Sequence, residues 1–254
     1  MIASIGIIGS GNTAWQLAHH FVRSEVPLAF IASRNLLEAQ KIANTLGIKY
    51  LAIDEIPKVD GLILCVSDSV ISQVSKSLID KSEWQAHSSG SVSINAISHN
   101  SKGVFYPLQT MTKGRLLSKE RIPICTEANS LALHKDLEEL AEKCGFRSYK
   151  LDSSKRAKAH ISAVMVNNFS NHLLAHAFNW AQENSIDQSI FKQLAFETIE
   201  KAFELGALNS QTGPARRNDS AIIESHLEQL KAYPKSEALY DFITNSIIRE
   251  FEQQ

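Results

Sequence analysis

The sequence is poor in cysteine, has no long apolar run, and carries charges that almost cancel. Its 254 residues include three cysteines and have a formal net charge of -1. Three widely spaced cysteines indicate reduced thiols, as in a cytoplasmic protein, and not a disulfide framework or a zinc site. No apolar run approaches the roughly 18 residues of a membrane span. A net charge this close to zero gives no reason to expect nucleic acid or an anionic membrane, so we expect neither as a partner.

Other absences exclude further classes. Six of the nine histidines show no metal-ligand spacing with cysteine or carboxylates: His20, His99, His134, His172, His176 and His226. His172 and His176 are four apart without an evident third ligand, so we expect no metal. No G-x-S-x-G elbow is present, which argues against a serine hydrolase. The apolar segment Met1–Gly11 lacks a basic region before it, and we expect a first strand there and not a signal peptide.

The stretch Ile5–Ala14 reads I-G-I-I-G-S-G-N-T-A. This is the G-x-G-x-x-A form of the dinucleotide-binding turn, placed where a strand passes into a helix. The first glycine permits the tight turn, the second admits the pyrophosphate, and the alanine lets the helix pack closely. Amides at the helix N-terminus favour an anion. The predicted pyrophosphate site comprises Gly9, Ser10, Gly11, Asn12 and Thr13.

The residues after the second predicted strand, Leu28–Ser33, indicate which dinucleotide binds. An NAD site usually has an acidic residue here, which binds the ribose hydroxyls. This chain has Ser33 and Arg34. A guanidinium pairs bidentately with a 2′-phosphate, and a hydroxyl donates to it. We therefore predict NADP(H) as the cofactor, with an ordinary surface arginine as the alternative.

Strands and helices alternate as far as residue 152, and helices follow from residue 153 onward. This pattern predicts an α/β fold: a doubly wound, mostly parallel Rossmann sheet followed by an all-α C-terminal domain. We expect an NADP-binding domain over 1–152 and a helical substrate and dimerisation domain over 153–254. The segment Lys155–Glu183, without glycine or proline, predicts one long helix. A domain of about a hundred residues cannot cover it alone, so we expect a homodimer.

Three polar loops follow predicted strands: Ser67–Ser69, His87–Gly90 and Tyr106–Thr110. In open α/β sheets, ligands bind outside the carboxyl ends of the strands, so these loops are expected to line the nicotinamide end of the cleft. A helix cap or a plain turn is the alternative for each of them. The predicted cofactor residues in the loops are Val66, Ser67 and Ser89. The predicted substrate-pocket residues are His87, Gly90, Pro107, Gln109 and Thr110.

Candidate catalytic residues lie on the long predicted helix. His160, Val164 and Asn168 are four apart and share a helix face. A histidine can exchange a proton near neutral pH, and an asparagine can orient a substrate oxygen. Spacing alone leaves packing or solvent-exposed roles open for both. The polar loop from Thr212 to Asp219 either turns the chain or closes over an anionic substrate, with Thr212 and Arg216 as candidate contacts.

Taken together, these residues resemble the Rossmann-like bacterial proteins with a C-terminal domain of unknown function, a group placed with NADP oxidoreductases of the deazaflavin-dependent type. The resemblance covers nearly the whole chain. It is carried by Gly9-x-Gly11-x-x-Ala14, Ser33-Arg34, His87-Ser88-Ser89-Gly90, Pro107-Leu108-Gln109-Thr110, His160…Asn168 and Thr212-Gly213-Pro214…Arg216…Asp219. The layout is more distantly similar to pyrroline-carboxylate reductase and the 3-hydroxyacid dehydrogenases, which join an NADP-binding domain to a helical, dimer-forming one.

The resemblance implies roles for His160 and Asn168, but it implies no substrate. Two positions depart from the family pattern. A histidine often precedes Pro-Leu-Gln-Thr, where this chain has Tyr106, and the loop often reads Arg-Gly-Asp, where this chain has Asn218 before Asp219. The resemblance therefore supports no catalytic role for Tyr106 or Asn218.

These observations predict an NADP(H)-dependent oxidoreductase. It would transfer a hydride between the nicotinamide and a small C=O or C=N substrate in the interdomain cleft, with His160 as acid or base. A deazaflavin in place of the organic substrate is an alternative that the group name raises. A non-catalytic NADP(H)-binding redox sensor is the alternative from another class. A methyltransferase fits less well, because it would favour an acidic residue where Ser33 and Arg34 stand.

Overall fold

The computed structural model describes residues 4–252. The first three residues of the predicted Met1–Gly11 strand segment, and residues 253–254, lie outside this part. The chain divides into two compact units, Met1–Phe169 and Ser170–Gln254. The predicted domain boundary at residue 152 stays a prediction.

The first unit is built on an eight-stranded sheet in the order β3-β2-β1-β4-β5-β6-β7-β8. All neighbouring pairs are parallel except β6 and β7, which are antiparallel. The predicted fold class is therefore confirmed. The strands are β1 Ile5–Ile8, β2 Leu28–Ala32, β3 Lys49–Leu51, β4 Val59–Leu64, β5 Ser82–His87, β6 Lys102–Pro107, β7 Pro123–Ala128 and β8 Arg147–Lys150.

Helices of the first unit connect these strands and cover the sheet. They are α1 Asn12–Arg23, α2 Leu36–Leu46, α3 Ile71–Ser77, α4 Leu131–Lys143 and α5 Ser153–Ala163, followed by a π-helical turn, Val164–Phe169. The strands carry near-continuous apolar runs because both faces of a parallel sheet are buried. On one side Ile7, Phe21 and Phe105 belong to one buried cluster, and on the other Ile8, Phe30 and Leu62 belong to a second.

The predicted long helix over 155–183 is interrupted. A π-helical turn separates α5 from α6, which spans Ser170–Glu183. Helices α7 Phe191–Leu205, α8 Ser220–Leu230 and α9 Pro234–Glu252 complete the second unit. The described part of the chain contains no helix that is both long and apolar enough to cross a membrane.

Candidate functional site

The turn after β1 requires glycine at its first position and leaves open space at its second. Gly9 has a φ of +125°, and a Cβ there would lie 2.1 Å from the carbonyl oxygen of Cys65. The Gly9 amide donates to the carbonyl of Ala32 at 2.7 Å. A Cβ at Gly11, in contrast, would meet nothing within 4 Å. Gly9 therefore closes the turn against neighbouring strands, whereas Gly11 leaves room for a ligand beside the backbone.

Helix α1 begins at this turn without a side-chain cap. Gly11 is its N-cap, and no acidic residue lies in its first turn. Asn12 is exposed and Thr13 is half-buried. Uncapped amides at a helix N-terminus attract anions. The predicted pyrophosphate residues thus lie together where an anion would be stabilised.

The end of β2 lies beside the same turn. The hydroxyl of Ser33, a buried residue, lies 2.9 Å from the hydroxyl of Ser10. The amide of Asn35 donates to Ser33 Oγ at 3.1 Å, and the Asn35 side chain caps α2. Arg34 is exposed, and within residues 4–252 its guanidinium has no ion-pair or hydrogen-bond partner. The strand thus ends in a fixed hydroxyl and an available cation.

The loops that follow β4 and β5 are hydrogen-bonded to each other. The hydroxyl of Ser91 donates to the Asp68 carboxylate at 2.6 Å. Ser89 Oγ accepts from the amides of Ser91 and Val92 at 3.2 and 3.1 Å. Gly9 packs against Cys65, which immediately follows β4, so the loop after β4 lies beside the glycine turn. The Ser91–Asp68 hydrogen bond connects the loop after β5 to it. The predicted cofactor residues here are Val66, Ser67 and Ser89, of which Ser89 is buried.

The loop after β5 ends against a paired tyrosine and histidine. A Cβ on Gly90 would lie 2.7 Å from both His160 Nδ1 and Tyr106 Cζ. The Tyr106 hydroxyl is 3.1 Å from His160 Nδ1. Burial raises the pKa of Tyr106 to about 12, so the phenol keeps its proton at neutral pH. Among the described residues nothing is hydrogen-bonded to His160 Nε2, which leaves that nitrogen for a ligand.

A cavity of about 570 Å³ adjoins this pair. This volume is typical of small-molecule sites, which combine apolar walls with a few polar groups. Its walls come from the end of β6 and the residues after it, from α5, and from the π-helical turn. The lining residues are Tyr106, Leu108, Gln109, Thr110, Ala159, His160, Ser162, Ala163, Val164, Val166, Asn167 and Asn168.

The π-helical turn brings two asparagines to the cavity. Single π turns within helices occur frequently at functional sites. The predicted shared face of His160, Val164 and Asn168 requires a regular α-helix, which the structure does not have beyond Ala163. All three still line the cavity, and Asn167 joins them.

Arg156, which the sequence pattern does not single out, fixes α5 on the sheet. This side chain is completely buried and forms an ion pair with Glu127 of β7. It also donates to the carbonyl of Val92, and Ser153 Oγ donates to the same Glu127 carboxylate at 2.9 Å. A buried charge is tolerated when it is paired. The network therefore sets the position of His160, one helical turn further on.

His87 is completely buried at the end of β5. The amide of Ser89 donates to its Nδ1 at 3.1 Å. Burial, together with the positive charge of Arg156, lowers the pKa of His87 to about 4. His87 is therefore neutral at pH 7. It supports the loop before Gly90 from inside, and it is not among the residues that line the cavity.

The remaining predicted pocket residues of the first unit differ in exposure. Pro107 is buried as the last residue of β6 and does not line the cavity. Gln109 does line it, but its side-chain amide donates to the carbonyl of Arg121 at 2.7 Å and accepts from the amide of Thr110 at 2.8 Å. Gln109 therefore also shapes the loop that follows β6.

Thr212 and Arg216 lie in the second unit. Thr212 lines a cavity of about 600 Å³ formed within that unit. The Arg216 guanidinium stacks on Phe251, 3.8 Å from the ring centroid, which is a cation–π contact. Asn218 has a φ of +52°, a conformation that glycine adopts freely and asparagine tolerates. Asn218, where the resembled family pattern has glycine, is therefore compatible with the turn.

Two family models match separate parts of the chain. Residues 4–95 match the model described as NADP oxidoreductase coenzyme F420-dependent. Residues 122–247 match the model of a domain of unknown function, DUF2520. The predicted resemblance is confirmed by these two matches.

Solved structures agree with this assignment. A Bacteroides fragilis protein described as a proposed NADP oxidoreductase is 29% identical, with 98% of both chains covered and a TM-score of 0.92. The 1-pyrroline-5-carboxylate reductase of Streptococcus pyogenes has 16% identity, with 97% of this chain and 98% of that chain covered and a TM-score of 0.60. The second comparison shows a shared fold.

A curated relative matches over a shorter stretch. Glutamyl-tRNA reductase of Legionella pneumophila is 39% identical over 84 residues, which cover 30% of this chain and 19% of that enzyme. The chain thus spans less than a fifth of the length of that relative.

Proposed function

We propose that this chain is an NADP(H)-dependent oxidoreductase that transfers a hydride between a nicotinamide and a small C=O or C=N substrate. The chain combines a segment that matches the F420-dependent NADP oxidoreductase model with a segment that matches DUF2520. The observation that carries this proposal is the Tyr106–His160 pair. It lines a cavity at the carboxyl edge of the same sheet whose β1 ends in the glycine turn.

The residues of the turn fit a dinucleotide. The open space at Gly11 and the uncapped N-terminus of α1 suit a pyrophosphate, and Arg34 is unpaired within the described residues. A bound nicotinamide would supply the hydride. Ser10 would lie at the pyrophosphate and Ser33 at the adenosine end, and the loops at Val66–Ser67 and Ser89 would approach the nicotinamide end.

The cavity supplies the proton chemistry. When a hydride adds to the carbon of a C=O or C=N group, the oxygen or nitrogen must gain a proton. In the doubly protonated form of His160, Nδ1–H donates to the Tyr106 oxygen, and the Nε2 proton passes to the substrate oxygen or nitrogen. This leaves a neutral imidazole, which takes the proton back in the reverse direction. Asn168, on the same cavity wall, orients the reacting group by a hydrogen bond. A pyrroline-carboxylate substrate contains such a C=N bond, which supports imines as the first class to examine.

The experiment is a nucleotide titration followed by a turnover screen. Purified protein is titrated with NADPH and then incubated with a panel of imines, keto acids and flavins while NADPH oxidation is followed. We expect saturable binding and oxidation with at least one C=O or C=N compound. Binding without any turnover would favour the redox-sensor alternative, and the absence of binding would contradict both.

Cofactor preference has its own test in Arg34→Ala. A charge-assisted contact with a 2′-phosphate contributes about 1.5–3 kcal/mol, which corresponds to roughly ten- to a hundredfold in affinity. We expect the variant to lose that much affinity for NADPH and little for NADH. An unchanged preference would rule out a role for Arg34 in selecting the cofactor.

A further inference from the structure

A loop between β6 and β7 crosses the N-terminus of α1. Its residues 110–117, called here the clamp loop, lie outside both matched segments, which end at residue 95 and begin at residue 122. The amide of Lys113 donates to Asn12 Oδ1 at 3.3 Å. The loop therefore reaches the first residue of α1, directly after the glycine turn.

A buried glutamine of α1 anchors the clamp loop. Gln16 is fully buried, and its Nε2 donates to the carbonyl of Arg115 at 2.6 Å. Its Oε1 accepts from the amide of Leu117 at 3.3 Å. Both ends of the side-chain amide are thus used to hold one loop. The chain turns at Gly114, which has a φ of +82°, so Lys113 occupies the tip of an anchored turn.

The side chain of Lys113 reaches the N-terminus of α2. Its Nζ lies 2.7 Å from Glu38 Oε2, and Glu38 lies in the first turn of that helix. The other oxygen of Glu38 lies 2.6 Å from Lys41 Nζ. The ammonium of Lys113 therefore sits at the helix end that directly follows Ser33 and Arg34, where the proposed function places a 2′-phosphate.

We propose that Lys113 is a second cationic ligand of the 2′-phosphate of NADP(H), and that Glu38 keeps its ammonium in place before the nucleotide binds. This inference rests on the proposed function. The Lys113–Glu38 pair is partly exposed, and pairs of this kind contribute little to stability. A phosphate with up to two negative charges forms stronger charge-assisted bonds. Exchange from the carboxylate to the phosphate is therefore favourable, and the partly exposed Glu38 carboxylate regains water.

Lys113→Met and Lys41→Met form a matched pair that tests this inference. Both variants remove one cation from Glu38, but Lys41 is not on the clamp loop and its side chain is largely exposed. We expect Lys113→Met to weaken binding of NADPH and of 2′,5′-ADP about tenfold or more. NADH and 5′-AMP should change by less than about twofold, as should every ligand of Lys41→Met. Lys113→Arg should restore most of the NADPH affinity.

The outcomes separate this inference from the function on which it rests. A wild-type protein that binds no nucleotide would overturn both. A wild type that prefers NADPH, with the same preference in Lys113→Met, would overturn the role of Lys113 alone. Equal loss of NADPH and NADH in Lys113→Met would also overturn it, because the ammonium would then act on the diphosphate or on the shape of the loop.

Discussion

The hydrogen bond between Tyr106 and His160 supports a role for Tyr106 that the family pattern does not. Tyr106 stands where the family pattern that the sequence resembles often has a histidine, so the resemblance supports no catalytic role for it. The structure places its hydroxyl 3.1 Å from His160 Nδ1. A hydroxyl on Nδ1 orients the imidazole and determines which of its nitrogens is available to a ligand.

Substitutions at the pair should reduce turnover without affecting nucleotide binding. A positioned acid or base contributes about 10²–10⁴ in rate, so His160→Ala should lower kcat/KM by at least a hundredfold. Tyr106→Phe keeps the ring and removes the hydroxyl, and we expect a smaller loss with an altered pH profile. Steady-state kinetics and NADPH titration measure both effects. His172→Ala is the control, and full activity in His160→Ala would remove this histidine from the mechanism.

His87 should make stability depend on pH. Its pKa is near 6.5 when the chain is unfolded and about 4 in the folded protein, chiefly because of burial. The unfolded chain therefore binds the extra proton, so stability is complete above about pH 6.5 and falls toward pH 4. Between about pH 7 and pH 5 the loss should be roughly 2 kcal/mol, measured by urea unfolding.

The control for this prediction is His87→Gln, which cannot titrate. Burial also lowers the pKa of His19 and His20, so some pH dependence should remain in the variant. If wild type and variant lost the same free energy of unfolding between the two pH values, His87 would not be the source.

At the scale of elements, we expect the two glycines of the strand–turn–helix unit to have different roles, Gly9 in folding and Gly11 in nucleotide binding. At Gly9 a Cβ would collide with backbone, and φ is +125°, whereas a Cβ at Gly11 would enter open space. Gly9→Ala should therefore destabilise the protein by at least about 1–3 kcal/mol. Gly11→Ala should keep the wild-type Tm and lose at least about tenfold in nucleotide affinity, because its methyl group occupies the space of the pyrophosphate.

Thermal unfolding and NADPH titration of the two variants provide the measurement. Gly47→Ala is a useful control, because its Cβ would also meet nothing, although its positive φ adds some strain. If Gly11→Ala bound NADPH like the wild type, the turn would not contact the pyrophosphate.

Elements of this kind could be predicted from local sequence. The strand–turn–helix unit, the caps and the apolar strand runs all act over a few residues, and the predicted strand Leu28–Ser33 agrees with β2 to within one residue. The antiparallel direction of β7 and the π-helical turn could not be predicted, because neither changes the apolar pattern. Arg156 was missed because a charged side chain normally lies at the surface, and its partner Glu127 is 29 residues away.

For the whole molecule, the second unit buries little of its own apolar surface. Among the described residues of that unit, the buried ones are Ala181, Ala215, Ile223 and Thr244. Helix α7 has no buried residue at all. Its exposed side chains include Leu194, Ile199 and Phe203, the last of them 84% exposed. Several large apolar side chains exposed on one helix are typical of an interface.

We therefore propose that a second copy of the chain covers α7 in a homodimer. Most soluble oligomers are symmetric assemblies of one chain, and a closed dimer would cover the same helix in both copies. The wild type should have twice the mass of one chain by light scattering. Leu194→Glu with Phe203→Glu should shift the protein toward monomer, because buried unpaired carboxylates oppose association. Gln193→Glu adds a charge at a polar position of α7 and should leave the dimer intact. A wild-type protein with the mass of one chain would contradict the proposal, since α7 would then remain exposed without a partner of its own kind.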